Sequence, residues 1–308
     1  MSKSILVAGI NGFVGKHLAS ELHRHEYIVY GTGTEKDVVP EITKIVTKYV
    51  QCDLTNPQDV EKLPLANIDA IINLAGLAQP STSSGKEELY NKINVEVHSI
   101  LIDRIQKSDL NVRILAVSSG AVYDNNQDMP LTEKSALIEG GSPYVASKVL
   151  LERTLRRYIN DGMNIIIARP FNHTGPGQLD GFILPDLTKK ILTQDVITVG
   201  PFNTSRDYTD VRDVVRAYRM IIEKPVQPLQ KIYNVCSGVA TSRDQLIEKI
   251  KTLTGKKSLE IYVDKSMVRP NDPLLIYGNS DLLKNEFGWQ PTISIDQTIR
   301  DFVQWKKV

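Results

Sequence analysis

The chain has 308 residues, is 41% apolar and 24% charged, and carries a formal net charge of +1. That length builds one large α/β unit or two modest domains with ample core, and the near-neutral charge argues against a nucleic-acid or membrane surface as partner. The longest apolar runs, such as IIIA at 165–168, fall far short of the roughly 20 residues a membrane span requires.

In chain order, SILVAGI (4–10) reads as a first strand. Glycines 9, 12 and 15 break its run and no small-x-small cleavage pattern follows, which argues against a targeting segment. A helix is predicted from about Phe13 to His23, with Leu18 and Leu22 on one face. Further strands are predicted at 27–32, 48–54, 70–76, 111–119 and 163–170, separated by amphipathic stretches of which 89–107 is the clearest. Ser142 followed by Pro143 marks the capped start of another helix. This alternation predicts an α/β fold: a Rossmann-type doubly wound parallel sheet covered on both faces.

From Phe171 onward NHTGPGQLDGF reads as a loop leaving that sheet. Helices are then predicted at 213–224 and 241–253, with short strands at 231–237 and 259–263. The expected organisation is a dinucleotide-binding domain from 1–170 and 208–236, and a smaller mixed α/β substrate lobe from 171–207 and 237–308. Cys52 and Cys236 are expected to be buried reduced thiols, which fits a cytoplasmic protein. His17, His23, His25, His98 and His173 form no set with metal-ligand spacing, so no metal site is expected.

GINGFVG (9–15) sits between the first strand and the first helix. Gly9, Gly12 and Gly15 suit a tight turn, close backbone approach to a diphosphate and close helix–strand packing, and the helix start offers its N–H groups to the phosphates. The adenosine ribose is read about 20 residues further on, at Thr32 within GTGTEKD. Threonine does not repel a 2′-phosphate as a carboxylate would, and Thr34 or Lys36 could bind one. The reading therefore favours NADPH, or NADH, although Glu35 and Asp37 lie nearby. Asp53 suits either the adenine amino group or a polar cap at a strand end.

Tyr144 and Lys148 form a Tyr-x-x-x-Lys pair on one helical face, and Ser119 ends the fifth strand at the edge that carries the glycine loop. Chance alone gives about one such pair in a chain of this composition, so the placement carries the weight. The three side chains can converge beside a nicotinamide. Tyr144 would then give a ketone oxygen its proton, Lys148 would draw the phenol's pKa down, and Ser119 would donate a hydrogen bond to that oxygen.

From the glycine loop to the C-terminal arginine, the chain resembles the extended short-chain dehydrogenase/reductases that act on nucleotide sugars. Within that family RPFNHTGPGQ (169–178), RDYTDVRDVVRAY (206–218), YNVCSG (233–238) and RPND (269–272) resemble segments of the reductases of GDP-linked 4-keto-6-deoxyhexoses. The resemblance implies Ser119, Tyr144 and Lys148 as the catalytic set. It also implies cofactor contacts from Asn11, Phe13, Val14, Asp53, Leu54, Leu74, Ala75, Gly76, Asn94, Pro170 and Phe171. Substrate contacts are implied for Ser119, Asn172, Ile183, Arg206 and Arg269, the arginines suiting phosphate oxygens because a guanidinium binds them as a fork.

Sugar-nucleotide dehydratases that resemble this chain place an acid pair directly after the catalytic Ser/Thr; here Gly120 and Ala121 stand there, so elimination lacks its acid and base. A C4 ketone reductase and a C4 epimerase both remain, with a GDP- or dTDP-linked sugar as substrate. A homodimer is expected through the stretches 89–107 and 143–160.

Overall fold

The computed structural model describes residues 2–79, 82–201, 204–224, 230–256, 258–267 and 273–307. Strands β1 (Ser4–Ala8), β2 (Ile28–Gly33), β3 (Lys48–Gln51), β4 (Ala70–Asn73), β5 (Arg113–Val117) and β6 (Ile165–Pro170) lie parallel in one sheet. The sheet gains a seventh strand from far along the chain, β10 (Ile232–Val235), giving the order β10-β6-β5-β4-β1-β2-β3.

The central strands are apolar on both sides because both sides are buried. Ile5 and Val7 face one layer, with Leu18 and Leu22 of α1 (Phe13–Arg24) and Val214, Tyr218 and Ile221 of α7 (Val211–Glu223). Leu6 and Ala8 face the other, with Val60 of α2 (Pro57–Val60), Leu101 and Ile105 of α4 (Val97–Lys107), and Leu151 and Leu155 of α5 (Pro143–Asn160). Each such fully buried aliphatic side chain contributes about 1.5–3 kcal/mol relative to exposure.

The stretch expected as one amphipathic unit at 89–107 is divided. It comprises α3 (Glu87–Asn91), a π-helical turn at 92–96, and α4. The expected strands are generally shorter than predicted: the run after Ala8 turns into the glycine loop, and the residues after Gln51 and Asn73 leave the sheet at its carboxyl edge.

The second layer of structure is assembled from separated segments. β7 (Asn172–Thr174) lies inside the stretch expected to be loop, because it pairs in parallel with β9 (Ser205–Asp210). β11 (Ala240–Ser242) and β13 (Leu275–Ile276) pair with β9 as well, and β8 (Val196–Val199) pairs with β12 (Glu260–Val263). Their core joins α6 (Ile183–Thr193), α8 (Arg243–Thr254) and α10 (Ile295–Lys306) through Leu187, Ile191, Leu246, Ile250, Ile299 and Phe302. α9 (Asp281–Phe287) packs against β10. Among the described residues, no helix is long and apolar enough to cross a membrane.

Candidate active site

The glycine loop, Ser119 and the start of α5 meet at the carboxyl ends of β1, β4 and β5. Gly9 has φ +74°, and a Cβ there would lie 3.0 Å from the Ala75 nitrogen. A Cβ on Gly15 would lie 2.4 Å from the Gly9 carbonyl oxygen, so α1 can sit this close to β1 only on glycine. α1 starts at Phe13 with extended Gly12 before it and no side-chain cap. The first-turn N–H groups of Phe13, Val14 and Gly15 are thereby offered to a diphosphate. This cradle fits a dinucleotide.

Thr32 departs from its expected role. Its side chain is fully buried within β2, and its hydroxyl donates to the Val50 carbonyl at 2.7 Å, so it serves the sheet and cannot read a ribose. The strand runs on to Gly33, and Thr34 is exposed just beyond. Glu35 folds its carboxylate back over Gly33, 2.7 Å from where a Cβ would stand. Asn11 donates to that carboxylate at 3.4 Å and to the Asp37 carbonyl at 3.1 Å, and accepts from the Val39 N–H at 3.1 Å, fastening the glycine loop to residues 35–39. The side chains that stand exposed past the end of β2 are therefore those of Thr34 and Glu35, not Thr32. Asp53 is exposed and accepts the Thr55 N–H at 2.9 Å, while Leu54 beside it is buried.

Leu74, Ala75 and Gly76 leave β4 beneath the π-helical turn. Asn94 of that turn accepts the Leu77 N–H at 2.8 Å and donates to the Leu77 carbonyl at 3.2 Å and to the Ser147 hydroxyl at 2.9 Å. A Cβ on Gly76 would stand 2.9 Å from the Asn94 Oδ1 and 3.8 Å from the Lys148 Nζ, so glycine keeps the approach to both open.

Ser119 is extended, and its hydroxyl oxygen accepts the Ala121 N–H at 3.1 Å. It is bonded to the phenol of Tyr144, the second residue of α5 after a start capped by Ser142. Burial pushes the Tyr144 phenol above its usual range, the Ser119 hydrogen bond opposes this, and Tyr90, packed edge-on at 6.4 Å, adds to it. Lys148 is buried and donates to the Val117 carbonyl at 2.8 Å. Burial pulls its pKa down to about 8, against the opposing charge of Glu152. The Lys148 ammonium lies on a β5 carbonyl, and burial is the largest influence on the Tyr144 phenol.

Pro170 ends β6, and Phe171 follows with its N–H donating to the Val235 carbonyl at 2.9 Å. The Phe171 ring closes over Gly120, where a Cβ would lie 2.9 Å from the ring edge. Asn172 is exposed in β7, Ile183 is half-buried at the first turn of α6, and Arg206 is half-buried in β9, donating to the Ser205 carbonyl at 2.9 Å. Arg269 lies outside the described residues. Two groups missed from sequence stand at the junction of loop and cofactor cradle. His173 stacks on Phe13 at 6.3 Å, and His17 bonds the Pro176 carbonyl at 2.7 Å. Cys52 and Cys236 are free buried thiols; burial lifts Cys52 to about 11 and raises Cys236 as well.

The model of the NAD dependent epimerase/dehydratase family matches residues 5–236. The chain is 30% identical over 308 residues to GDP-6-deoxy-D-mannose reductase of Pseudomonas aeruginosa, covering 97% of this chain and 96% of that protein. It is 26% identical over 343 residues to UDP-glucose 4-epimerase of Caenorhabditis elegans, covering 98% and 97%. The solved structure of RMD from Pseudomonas aeruginosa complexed with NADPH superposes with a TM-score of 0.84 at 28% identity, covering 99% of each chain.

Proposed function

The chain belongs to the NAD dependent epimerase/dehydratase family, and from that premise we propose that it uses NAD(P)H to reduce the C4 ketone of a nucleotide-linked 4-keto-6-deoxyhexose, GDP-4-keto-6-deoxymannose or dTDP-4-keto-6-deoxyglucose, for deoxysugar and surface-polysaccharide synthesis. The observation that carries this reading is the meeting of Ser119, Tyr144 and Lys148 beside a dinucleotide cradle while Phe171 seals the position of Gly120. Phe171 occupies the space beside Gly120, and neither Gly120 nor Ala121 carries the acid that elimination needs, whereas ketone reduction needs none. Likeness to a GDP-6-deoxy-D-mannose reductase over nearly the whole chain supports the same reaction.

The reduced nicotinamide, when bound, supplies hydride to the carbonyl carbon. Ser119, held by the Ala121 N–H and beside the Tyr144 phenol, would turn its hydroxyl to the carbonyl oxygen of a bound substrate, where one such donor is worth about 10²–10³ in rate. Tyr144 delivers the proton that completes the alcohol. Asn172 and Arg206, with Arg269, are assigned to the substrate diphosphate, which suits their polar and cationic chemistry.

A C4 epimerase holding NAD is the second reading, favoured by the Glu35 carboxylate at the end of β2, because an acid there suits a ribose diol and opposes a 2′-phosphate. Absorbance at 340 nm with NADPH or NADH and each of the two ketones separates them. Loss of signal with one ketone is expected and names nucleotide and cofactor together; no loss with either, with NAD copurifying, would replace the reductase by the epimerase.

A further inference from the structure

Behind the catalytic side chains lies a buried polar network that the proposed reaction does not itself use. Glu152 and Arg169 are 0% and 1% exposed. One carboxylate oxygen of Glu152 accepts the Ser118 hydroxyl at 2.6 Å and the Arg169 Nε at 2.8 Å; the other accepts the Arg169 Nη2 at 2.5 Å. Arg169 also donates to the Tyr123 hydroxyl at 2.8 Å and lies over the Tyr123 ring at 4.7 Å, and Tyr123 in turn donates to Asn234 at 2.6 Å. Ser118 precedes Ser119, Glu152 lies one turn after Lys148 on α5, and Arg169 precedes Pro170. A single forked ion pair therefore joins the three segments that present the catalytic serine, the catalytic lysine and the turn assigned to the cofactor.

We propose that Glu152, clamped by Arg169, is a positioning residue that locks these three segments in register and supplies the negative charge that keeps the Lys148 ammonium charged. The inference rests on the reading of Ser119, Tyr144 and Lys148 as the catalytic set, and it holds for reductase and epimerase alike. A buried ion pair is a costly way to join three segments, and replacing such a pair with apolar groups of similar volume is often neutral or stabilising. Fold stability alone therefore gives weak grounds for keeping it, and charge beside Lys148 gives a specific one. The ionisable groups facing Lys148 are few. Tyr144 shares its helix, and His98 of α4 is buried, with burial and the Lys148 charge drawing it down to about 3, so it is neutral at working pH. Glu152 is the negative charge acting on Lys148.

Burial disfavours the ammonium and Glu152 favours it, so loss of the carboxylate lets Lys148 shed its proton at lower pH. Two variants separate charge from packing: Glu152→Gln, and the double variant Glu152→Met with Arg169→Met, which leaves no orphaned charge. Lys148 is titrated by NMR on lysine-labelled protein, assigned with Lys148→Arg. The expected midpoint is lower than in the parent by about one pH unit in Glu152→Gln, which also frees the Arg169 charge, and lower by less in the double variant, which removes both charges, with the alkaline limb of kcat shifting in step. Equal midpoints in the parent and folded Glu152→Gln would overturn the proposal, as would a larger fall in the double variant than in Glu152→Gln. The NMR titration needs no substrate, so its outcome does not depend on whether either ketone is turned over.

Discussion

At the scale of single residues, the proton donor is the group whose removal is cleanest to interpret. Tyr144 is buried at the first turn of a capped helix, so Tyr144→Phe removes one hydroxyl and leaves the ring packed on Tyr90. Turnover is expected to fall by about 10²-fold or more while the melting temperature stays within a few degrees, because general acid catalysis contributes about 10²–10⁴. Steady-state kinetics at saturating cofactor check this, and turnover close to that of the parent would remove Tyr144 from its role. The meeting of Ser119, Tyr144 and Lys148 was readable because the Tyr–Lys spacing is local and the strand and helix that carry the three are strongly patterned. The burial of Thr32 was not readable, because strand length decides which residue faces out. Thr32 is drawn into the sheet by one bond to Val50, and nothing in GTGTEKD alone fixes where the strand ends.

At the scale of elements, the break between α3 and α4 has the clearest consequence. Apolar periodicity over 89–107 reads as continuous helix because one inserted residue only slips the pattern, and the wider turn at 92–96 leaves little trace in it. The turn places Asn94 inward, fully buried, where it closes the Leu77 backbone on both its N–H and its carbonyl. Asn94→Ala strands those two backbone groups, while the Ser147 hydroxyl keeps its bond to the Tyr144 carbonyl. Stability is expected to drop by about 2–4 kcal/mol, since each buried group left unsatisfied costs about 1–3 kcal/mol and water recovers part. Denaturant unfolding checks it; a loss under about 0.5 kcal/mol would mean that the turn holds without its asparagine. The Glu152–Arg169 clamp belongs to the same class of feature. A glutamate on a helix and an arginine ending a strand carry no shared spacing, and only the folded sheet brings them together.

At the scale of the whole molecule, strand–helix alternation made the large sheet legible, because each parallel strand needs its crossover and writes it into the adjacent sequence. The smaller sheet was not legible. β7, β9, β11 and β13 come from four separated places, and strands of two to six residues announce no partner. The expected homodimer tests how this architecture presents its outer helices. Leu89 of α3 and Leu150 of α5 are 44% and 41% exposed on helices that pack side by side, and together they are the apolar strip such a dimer would cover. A second copy meeting the same strip about a two-fold axis would cover both leucines twice, as an isologous contact requires. Light scattering is then expected to give twice the 34.5 kDa of one chain. The double substitution Leu89→Glu and Leu150→Glu should return that mass to one chain, because four carboxylates would be buried against one another. If instead the parent is monomeric at tens of micromolar, the strip is ordinary surface and the catalytic site is complete within one chain.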